Sequence, residues 1–515
     1  MRLDPAHMYD RFIAGDGGYD GRFFAGVMTT GIYCLPSCKA RKPKRENIRF
    51  FPSCEAARAA GLRPCLKCRP DDFARGSDPV LETIEALVAE IRGHPESFAD
   101  AAAIVRRSGF GTTRLFELVR RHFQSTPAEL LLEARLARSK RLLLEGGAGI
   151  AAVALASGFE SPSVFHAHFR ACCGLTPVTY RGLRAARTFS IELPEGFHLG
   201  YLRRALSRDP HSLTERLAGD RYQAAVRLSG VPAVLTIDLG HPRRVDVRID
   251  RAQGAGSKEG TGLNRRVTGT SGRGQAAGSE DAAAAQSARG HPPMGAAAHA
   301  IVAELLGLDQ DAPAFARLAK RLGFARLVDG RPGLRIARTL SLFDGLTWAI
   351  IGQQINFPFA CILRRRLVEF AGQPLGNGLY CPPTPEAVAA LDPDRLGPLQ
   401  FSRRKAEYLV GAAKLAASGQ LDLEGLKRLS ATRVERVLMG IRGLGPWSVN
   451  YFMMRSLGFP DCVPVGDTGV TSGLKALFAL DERPDAEATL RLMSVFSPHR
   501  SLAISHLWQL LQSPP

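Results

Sequence analysis

Residues 432–452 read Thr432-Arg433-Val434-Glu435-Arg436-Val437-Leu438-Met439-Gly440-Ile441-Arg442-Gly443-Leu444-Gly445-Pro446-Trp447-Ser448-Val449-Asn450-Tyr451-Phe452. Thr432 to Met439 predict a helix, Gly440 to Pro446 a tight turn, and Trp447 to Arg455 a second helix. Gly443 and Gly445 permit a turn that ordinary side chains would obstruct. The turn exposes backbone N–H groups at a helix start, which is a ready seat for a phosphate. Helix, Gly-x-Gly, helix is only moderately specific, because a plain helical hairpin fits the same residues. Further on, Val463-Pro464-Val465-Gly466-Asp467-Thr468 supplies one aspartate. Alone, it would read as a helix cap or a surface charge.

Hairpin plus downstream aspartate resembles the helix-hairpin-helix base-excision glycosylases. Three further words are similar to their AlkA-like 3-methyladenine DNA glycosylase branch: Trp348-Ala349-Ile350-Ile351-Gly352-Gln353-Gln354-Ile355, Trp447-Ser448-Val449-Asn450-Tyr451-Phe452, and Ser505-His506-Leu507-Trp508. The resemblance implies an all-α glycosylase domain over 299–512 with Asp467 as the catalytic residue. Breaking an N-glycosidic bond develops positive charge on the deoxyribose, and a fixed carboxylate stabilises it. It also implies that Tyr201, Trp447, Tyr451 and Trp508 form the base pocket. A base that has left the stack would lie there against electron-rich rings suited to a cationic base. Gln354 falls where the branch places the residue that plugs the vacated stack, and Gly443 and Gly445 would hold the DNA backbone. Bifunctional relatives carry a Schiff-base lysine where this chain has Trp447, so a monofunctional enzyme is expected. Gly466 stands where some relatives have a second acidic residue, which bears on substrate range.

Upstream, residues 186–250 look like that branch's small α/β domain. Residues 251–298 are rich in Gly, Ala and Ser, as in Gln253-Gly254-Ala255-Gly256-Ser257. Such a composition cannot offset its ordering entropy by burial, so a disordered insert is expected. Residues 78–183 carry two similar segments: Ser108-Gly109-Phe110-Gly111-Thr112-Thr113-Arg114-Leu115, and Ser157-Gly158-Phe159-Glu160-Ser161-Pro162-Ser163-Val164-Phe165. Each reads as helix, glycine turn, second helix and proline-marked exit. A generic helical bundle would also carry them, but the pair resembles the double helix-turn-helix domain of AraC-type regulators. The first copy departs at Gly111, the usual N-cap serine position. The resemblance implies groove contacts from Thr112, Thr113, Arg114 and Glu117, and from Ser161, Ser163, His166 and Ala167.

At the front, Cys34, Cys38, Cys65 and Cys68 are spaced C-x3-C and C-x2-C. Four thiolates so paired can close one tetrahedral zinc site, and a zinc-bound thiolate is held ready to attack carbon. A structural knuckle would be inert. The words Thr29-Thr30-Gly31-Ile32-Tyr33-Cys34-Leu35-Pro36-Ser37-Cys38 and Arg63-Pro64-Cys65-Leu66-Lys67-Cys68 resemble the N-terminal domain of the Ada family, here residues 1–76. There the first cysteine accepts a methyl group from a DNA methylphosphotriester, which makes Cys34 the matching acceptor. Lys39, Arg41, Lys42, Lys44 and Arg45 follow, and Arg41, Arg45 and Arg63 are expected at phosphates. The Pro-Cys-His-Arg word needed for O6-methylguanine repair does not occur in the sequence.

The whole chain agrees with these parts. Its 515 residues require several domains, and a net charge of +19 favours a polyanionic partner, nucleic acid before membrane. The opening residues have no apolar core, no stretch approaches the length of a membrane span, and the other cysteines form no framework of pairs. The expected protein is multidomain and mainly α with α/β parts. It is a bacterial cytoplasmic, nucleoid-associated monomer that acts on double-stranded DNA and contacts RNA polymerase. It would excise alkylated bases, accept methyl groups on Cys34 and activate transcription. The alternative is a methylation-responsive transcription factor whose C-terminal half binds DNA without catalysis.

Overall fold

The computed structural model describes residues 4–38, 40–74, 78–251, 292–331 and 333–512. Lys39 and residues 252–291 of the expected insert lie outside the described residues. The chain resolves into two compact units, Met1–Glu90 and Ile91–Pro515.

In the smaller unit, strands β1 (Phe24–Val27), β2 (Ile32–Cys34), β3 (Ile48–Phe51) and β4 (Arg63–Pro64) form a sheet in the order β3-β1-β2-β4. The β2–β4 pair is parallel, and β1 is antiparallel to both of its neighbours. Gly26 lies at the centre of β1, where a Cβ would collide with the side chains of Leu62 and Phe51. Phe12, Phe23 and Ala25 pack around Cys34, Cys38 and Cys65. So few apolar side chains bury little surface, which is why a metal-binding cluster belongs in the core of a fold this small.

The larger unit opens with helices Ala101–Ser108 and Thr112–Phe123. The long helix Pro127–Glu145 then leads to Ile150–Ala156, Pro162–Cys173 and Pro177–Gly182. The two proline-marked exits are helix starts: Thr126 caps Glu129 N in a capping box and Thr176 caps Thr179 N, each with proline at the first turn. Gly111 is the N-cap of its helix and offers no side-chain bond, as its identity requires.

Strands β5 (Thr188–Glu192), β6 (Glu215–Ala218), β7 (Arg221–Leu228), β8 (Val231–Asp238) and β9 (Arg244–Arg251) follow. They form an antiparallel sheet in the order β5-β9-β8-β7-β6. Alternate residues Val245, Val247 and Ile249 of β9 are buried, so one face of the sheet makes the core. That core does not stop at residue 186. Phe165 and Phe169 of the second helix-turn-helix unit join Ile191, Val226 and Leu235 of the sheet in one hydrophobic cluster. The edge-to-face series Phe165, Phe169, Tyr180 and His299 runs through it at centroid spacings of 5.4, 5.3 and 5.2 Å.

The insert boundaries also need correction. Arg251 still pairs with Ala233 in the sheet, and a helix begins at Met294 rather than after residue 298. Small residues there are packing residues: Gly295 is buried, and a Cβ on it would strike the backbone oxygens of Leu183 and Ala186. Composition alone reads such a Gly/Ala run as linker.

The rest is all-α. Helices Leu342–Ile351, Phe357–Ala371, Arg403–Ala417, Ala431–Met439, Pro446–Phe452, Thr468–Phe478 and Arg500–Leu510 surround one large apolar core. The second hairpin helix is α-helical only to Phe452; Met453–Leu457 widens into a π turn that ends at Gly458 with φ +81°. The first helix-turn-helix unit is bonded to this body: His122 Nδ1 lies 3.0 Å from Thr432 Oγ1, and Asp461 N donates to Gln124 Oε1 at 2.7 Å. Among the described residues no helix is long and apolar enough to cross a membrane.

Candidate active site and metal centre

Asp467 is the N-cap of helix Thr468–Phe478, and its Oδ1 accepts the Val470 N–H at 3.0 Å. Capping holds the carboxylate at the positive end of the helix. Two indoles fix it further: Trp508 Nε1 donates to Oδ1 at 3.0 Å and Trp447 Nε1 donates to Oδ2 at 3.1 Å. Each oxygen is thereby oriented, and the carboxylate opens onto a cavity of about 700 Å³.

Tyr201, Trp447, Tyr451 and Trp508 all line this cavity. Trp447 and Tyr451, four residues apart on the hairpin, are stacked with centroids 5.1 Å apart and planes at 20°. Trp508 is tilted against Tyr451 at 6.3 Å. Tyr201 arrives from the helix Leu199–Leu206 of the α/β part, so one wall comes from outside the all-α body. Trp348 was legible only as part of a word; here its Nε1 donates to Tyr451 Oη at 3.2 Å and fixes that ring. Arg208 and Arg455 also line the cavity, and no motif marked them.

The hairpin turn bends as its glycines require. Gly443 has φ +94°, and a Cβ on it would enter the Tyr408 ring. Gly445 is extended and caps the second helix with backbone alone, before Pro446. Gln353 Nε2 donates to Gly443 O and to Ser448 Oγ, both at 2.8 Å. Lys405 Nζ donates to Ile351 O at 2.6 Å and Gln353 O at 3.0 Å. These bonds present the next residue, Gln354, exposed and in a left-handed conformation with φ +53°.

In the smaller unit the four Sγ atoms of Cys34, Cys38, Cys65 and Cys68 lie within 4.8 Å of one another. A tetrahedral zinc–thiolate site with bonds of about 2.3 Å would place its sulfurs roughly 3.8 Å apart, so the donor set fits. Thiols this close cannot all ionise unaided. The hydrogen bond from Cys34 holds Cys38 down to about 2, and the same bond pushes Cys34 far up. A divalent cation removes that conflict by neutralising the thiolates together. The Leu35 N–H donates to Cys68 Sγ at 3.3 Å. Cys34 is 5% exposed, and Cys68 is the most open of the four. Arg41, Arg45 and Arg63 are exposed, with Arg45 over the Tyr9 ring at 5.5 Å.

On the helix-turn-helix part, Thr112, Thr113, Arg114 and Glu117 are exposed together at the start of their helix, with Arg114 3.4 Å from Glu117. In the second unit Ser163 and Ala167 are exposed and His166 is half-buried. Ser161 differs: its Oγ accepts Val164 N at 3.3 Å, so it caps the helix.

Three family models match the chain: the metal binding domain of Ada over residues 7–71, a helix-turn-helix domain over 104–182, and the HhH-GPD superfamily of base excision DNA repair proteins over 347–498. A DNA-3-methyladenine glycosylase of Bacillus subtilis is 34% identical over 212 residues, 40% of this chain and 70% of that one. The probable bifunctional transcriptional activator/DNA repair enzyme AlkA of Mycobacterium tuberculosis is 28% identical across 100% of this chain and 98% of its own. Among solved structures, the 3-methyladenine DNA-glycosylase from Archaeoglobus fulgidus is 22% identical, covering 62% of this chain and 97% of that one with a TM-score of 0.47. This chain belongs to the DNA-3-methyladenine glycosylase family, and it joins that fold to an Ada-type metal-binding domain and a helix-turn-helix domain in one polypeptide.

Proposed function

We propose that the protein repairs alkylated DNA and regulates the response to that damage: it excises 3-methyladenine-type bases, and it accepts methyl groups from methylphosphotriesters on Cys34. The observation that carries the first part is Asp467, held by Val470 N, Trp447 and Trp508 at the edge of a large aromatic cavity. With the base everted between Trp447, Tyr451 and Trp508, the carboxylate stabilises positive charge developing at C1′ of the sugar. The C1′–N bond breaks, its electron pair leaves with the base, and water supplies the oxygen that replaces it. No lysine stands at Trp447, so no Schiff base forms and the product is an intact abasic site. Gln354 fills the gap left in the stack, and the Gly443–Gly445 turn seats a phosphate.

In the smaller unit Cys34, Cys38, Cys65 and Cys68 would hold zinc, which would keep them as thiolates. Cys34 Sγ attacks the methyl carbon of a methylphosphotriester; the S–C bond forms, the C–O bond breaks, and a phosphodiester anion leaves. The thioether product has one negative charge fewer, so phosphate repels the cluster less and promoter affinity rises. The helix-turn-helix helices read the operator and RNA polymerase is recruited. The protein works as a monomer beside the nucleoid.

The decisive experiment is base release from methylated duplex DNA by wild type and by Asp467→Asn. Wild type is expected to release 3-methyladenine and the variant to lose at least ~100-fold, the scale of removing one preorganised electrostatic group. Absence of release by folded, zinc-loaded wild type would leave a methylation-responsive regulator with a non-catalytic C-terminal half.

A further inference from the structure

The cavity beside Asp467 contains an arginine that the reaction above does not use. Arg455 lies in the wide turn Met453–Leu457, where extra backbone per turn takes side chains out of α-helical register. It lines both the main cavity and an adjoining annex of about 110 Å³, and Trp348, Phe357 and Tyr451 line both spaces with it. The guanidinium sits against the Tyr451 hydroxyl, with Arg208 as a like-charged neighbour and Glu215 as a weaker, opposite one across the annex. Its Nε is buried without a hydrogen-bond partner, and among the described residues no carboxylate forms an ion pair with it.

A nearby arginine shows what a satisfied site looks like. Arg364 bonds Asp344 Oδ2 at 2.8 Å and Thr214 Oγ1 at 2.9 Å. Arg455 has the Tyr451 hydroxyl beside it but, among the described residues, no carboxylate ion pair. Burial accordingly pulls its pKa down. A half-buried guanidinium whose Nε is buried and unpaired carries a desolvation cost that an arriving acceptor would offset. The aromatic walls restrict that acceptor to a flat ring rather than a phosphate.

We infer that Arg455 is a specificity residue of the base pocket: its guanidinium donates to a carbonyl oxygen or ring nitrogen on the edge of the everted base, and so favours neutral bases over cationic ones. This rests on the glycosylase reading of the cavity. When the C1′–N bond breaks, the electron pair leaves with the base. A cationic alkylated base becomes neutral and needs no help, whereas a neutral base leaves with developing negative charge that a fixed guanidinium stabilises. The same positive charge opposes a cationic base by Coulomb repulsion.

The test is single-turnover base release by the full chain from two duplexes, one carrying cationic N7-methylguanine and the other neutral hypoxanthine. Arg455→Gln should slow hypoxanthine release about tenfold, the worth of one hydrogen bond to a charged group, and leave N7-methylguanine release equal or faster. Arg455→Lys, which keeps the charge without the fork, should recover part of the hypoxanthine rate. A parallel fall for both bases in the two variants, or no change for either, overturns the inference. Wild type that releases N7-methylguanine but no hypoxanthine overturns it too, with the glycosylase reading intact; release of neither base overturns both.

Discussion

Asp467 shows how one side chain acquires a role through its neighbours. The sequence offers a single aspartate before a helix, and capping Val470 N would be reason enough for it. What separates it from an ordinary cap is the pair of indole donors from Trp447 and Trp508, which arrive from two other helices. A hydrogen bond to a charged group contributes roughly 1.5–3 kcal/mol. Trp508→Phe keeps an aromatic wall and removes one donor, so base release should fall about tenfold or more with the melting temperature little changed. Equal rates for variant and wild type would show that capping alone orients the carboxylate.

At the scale of elements, the hairpin depends on one backbone conformation. Gly443 occupies φ +94°, and a Cβ there would meet the Tyr408 ring. Gly443→Ala is expected to destabilise the fold by about 1–3 kcal/mol and to weaken binding to undamaged duplex DNA. Thermal melting and a salt titration of binding would check both effects. A second element-level prediction concerns the shared core. His299 is buried against Tyr180, with Nε2 2.8 Å from Cys173 O, and burial pushes its pKa down to about 4. In the unfolded chain the imidazole protonates near 6.5, so below that pH the unfolded state binds the proton that the folded state refuses. Stability should therefore fall as pH drops from about 6.5 to about 4, by ~3 kcal/mol from this group. Denaturant unfolding as a function of pH should show a shallower fall for His299→Gln. His506, pushed down to about 3, adds a loss of the same sign.

For the whole molecule, the two proposed chemistries fall in separate compact units, Met1–Glu90 and Ile91–Pro515. Chelating the metal should therefore abolish methyl acceptance while base release persists; simultaneous loss of both would show that the units depend on each other. Mass spectrometry after reaction with methylated DNA should place the methyl on the peptide containing Cys34. Because Cys34 is buried and Cys68 is more open, a methyl on Cys68 would overturn that assignment.

Residue order alone reveals the parts whose chemistry needs particular residues at short spacing: the four cysteines, the Gly443–Gly445 turn, and the Trp447–Tyr451 pair one helical turn apart. Local geometry is enough for these, because chain connectivity already brings the groups within reach. The folded structure alone shows which distant segments meet. It placed Tyr201 from the α/β part and Trp508 from the last helix on the walls of one cavity with Asp467, and it left Arg455 there with no ion pair among the described residues. It also carried the second helix-turn-helix unit and the sheet into a single core, and turned Gly295 from linker composition into close packing. Burial and long-range hydrogen bonding arise from surfaces meeting, and no period or motif along the chain encodes which surfaces meet.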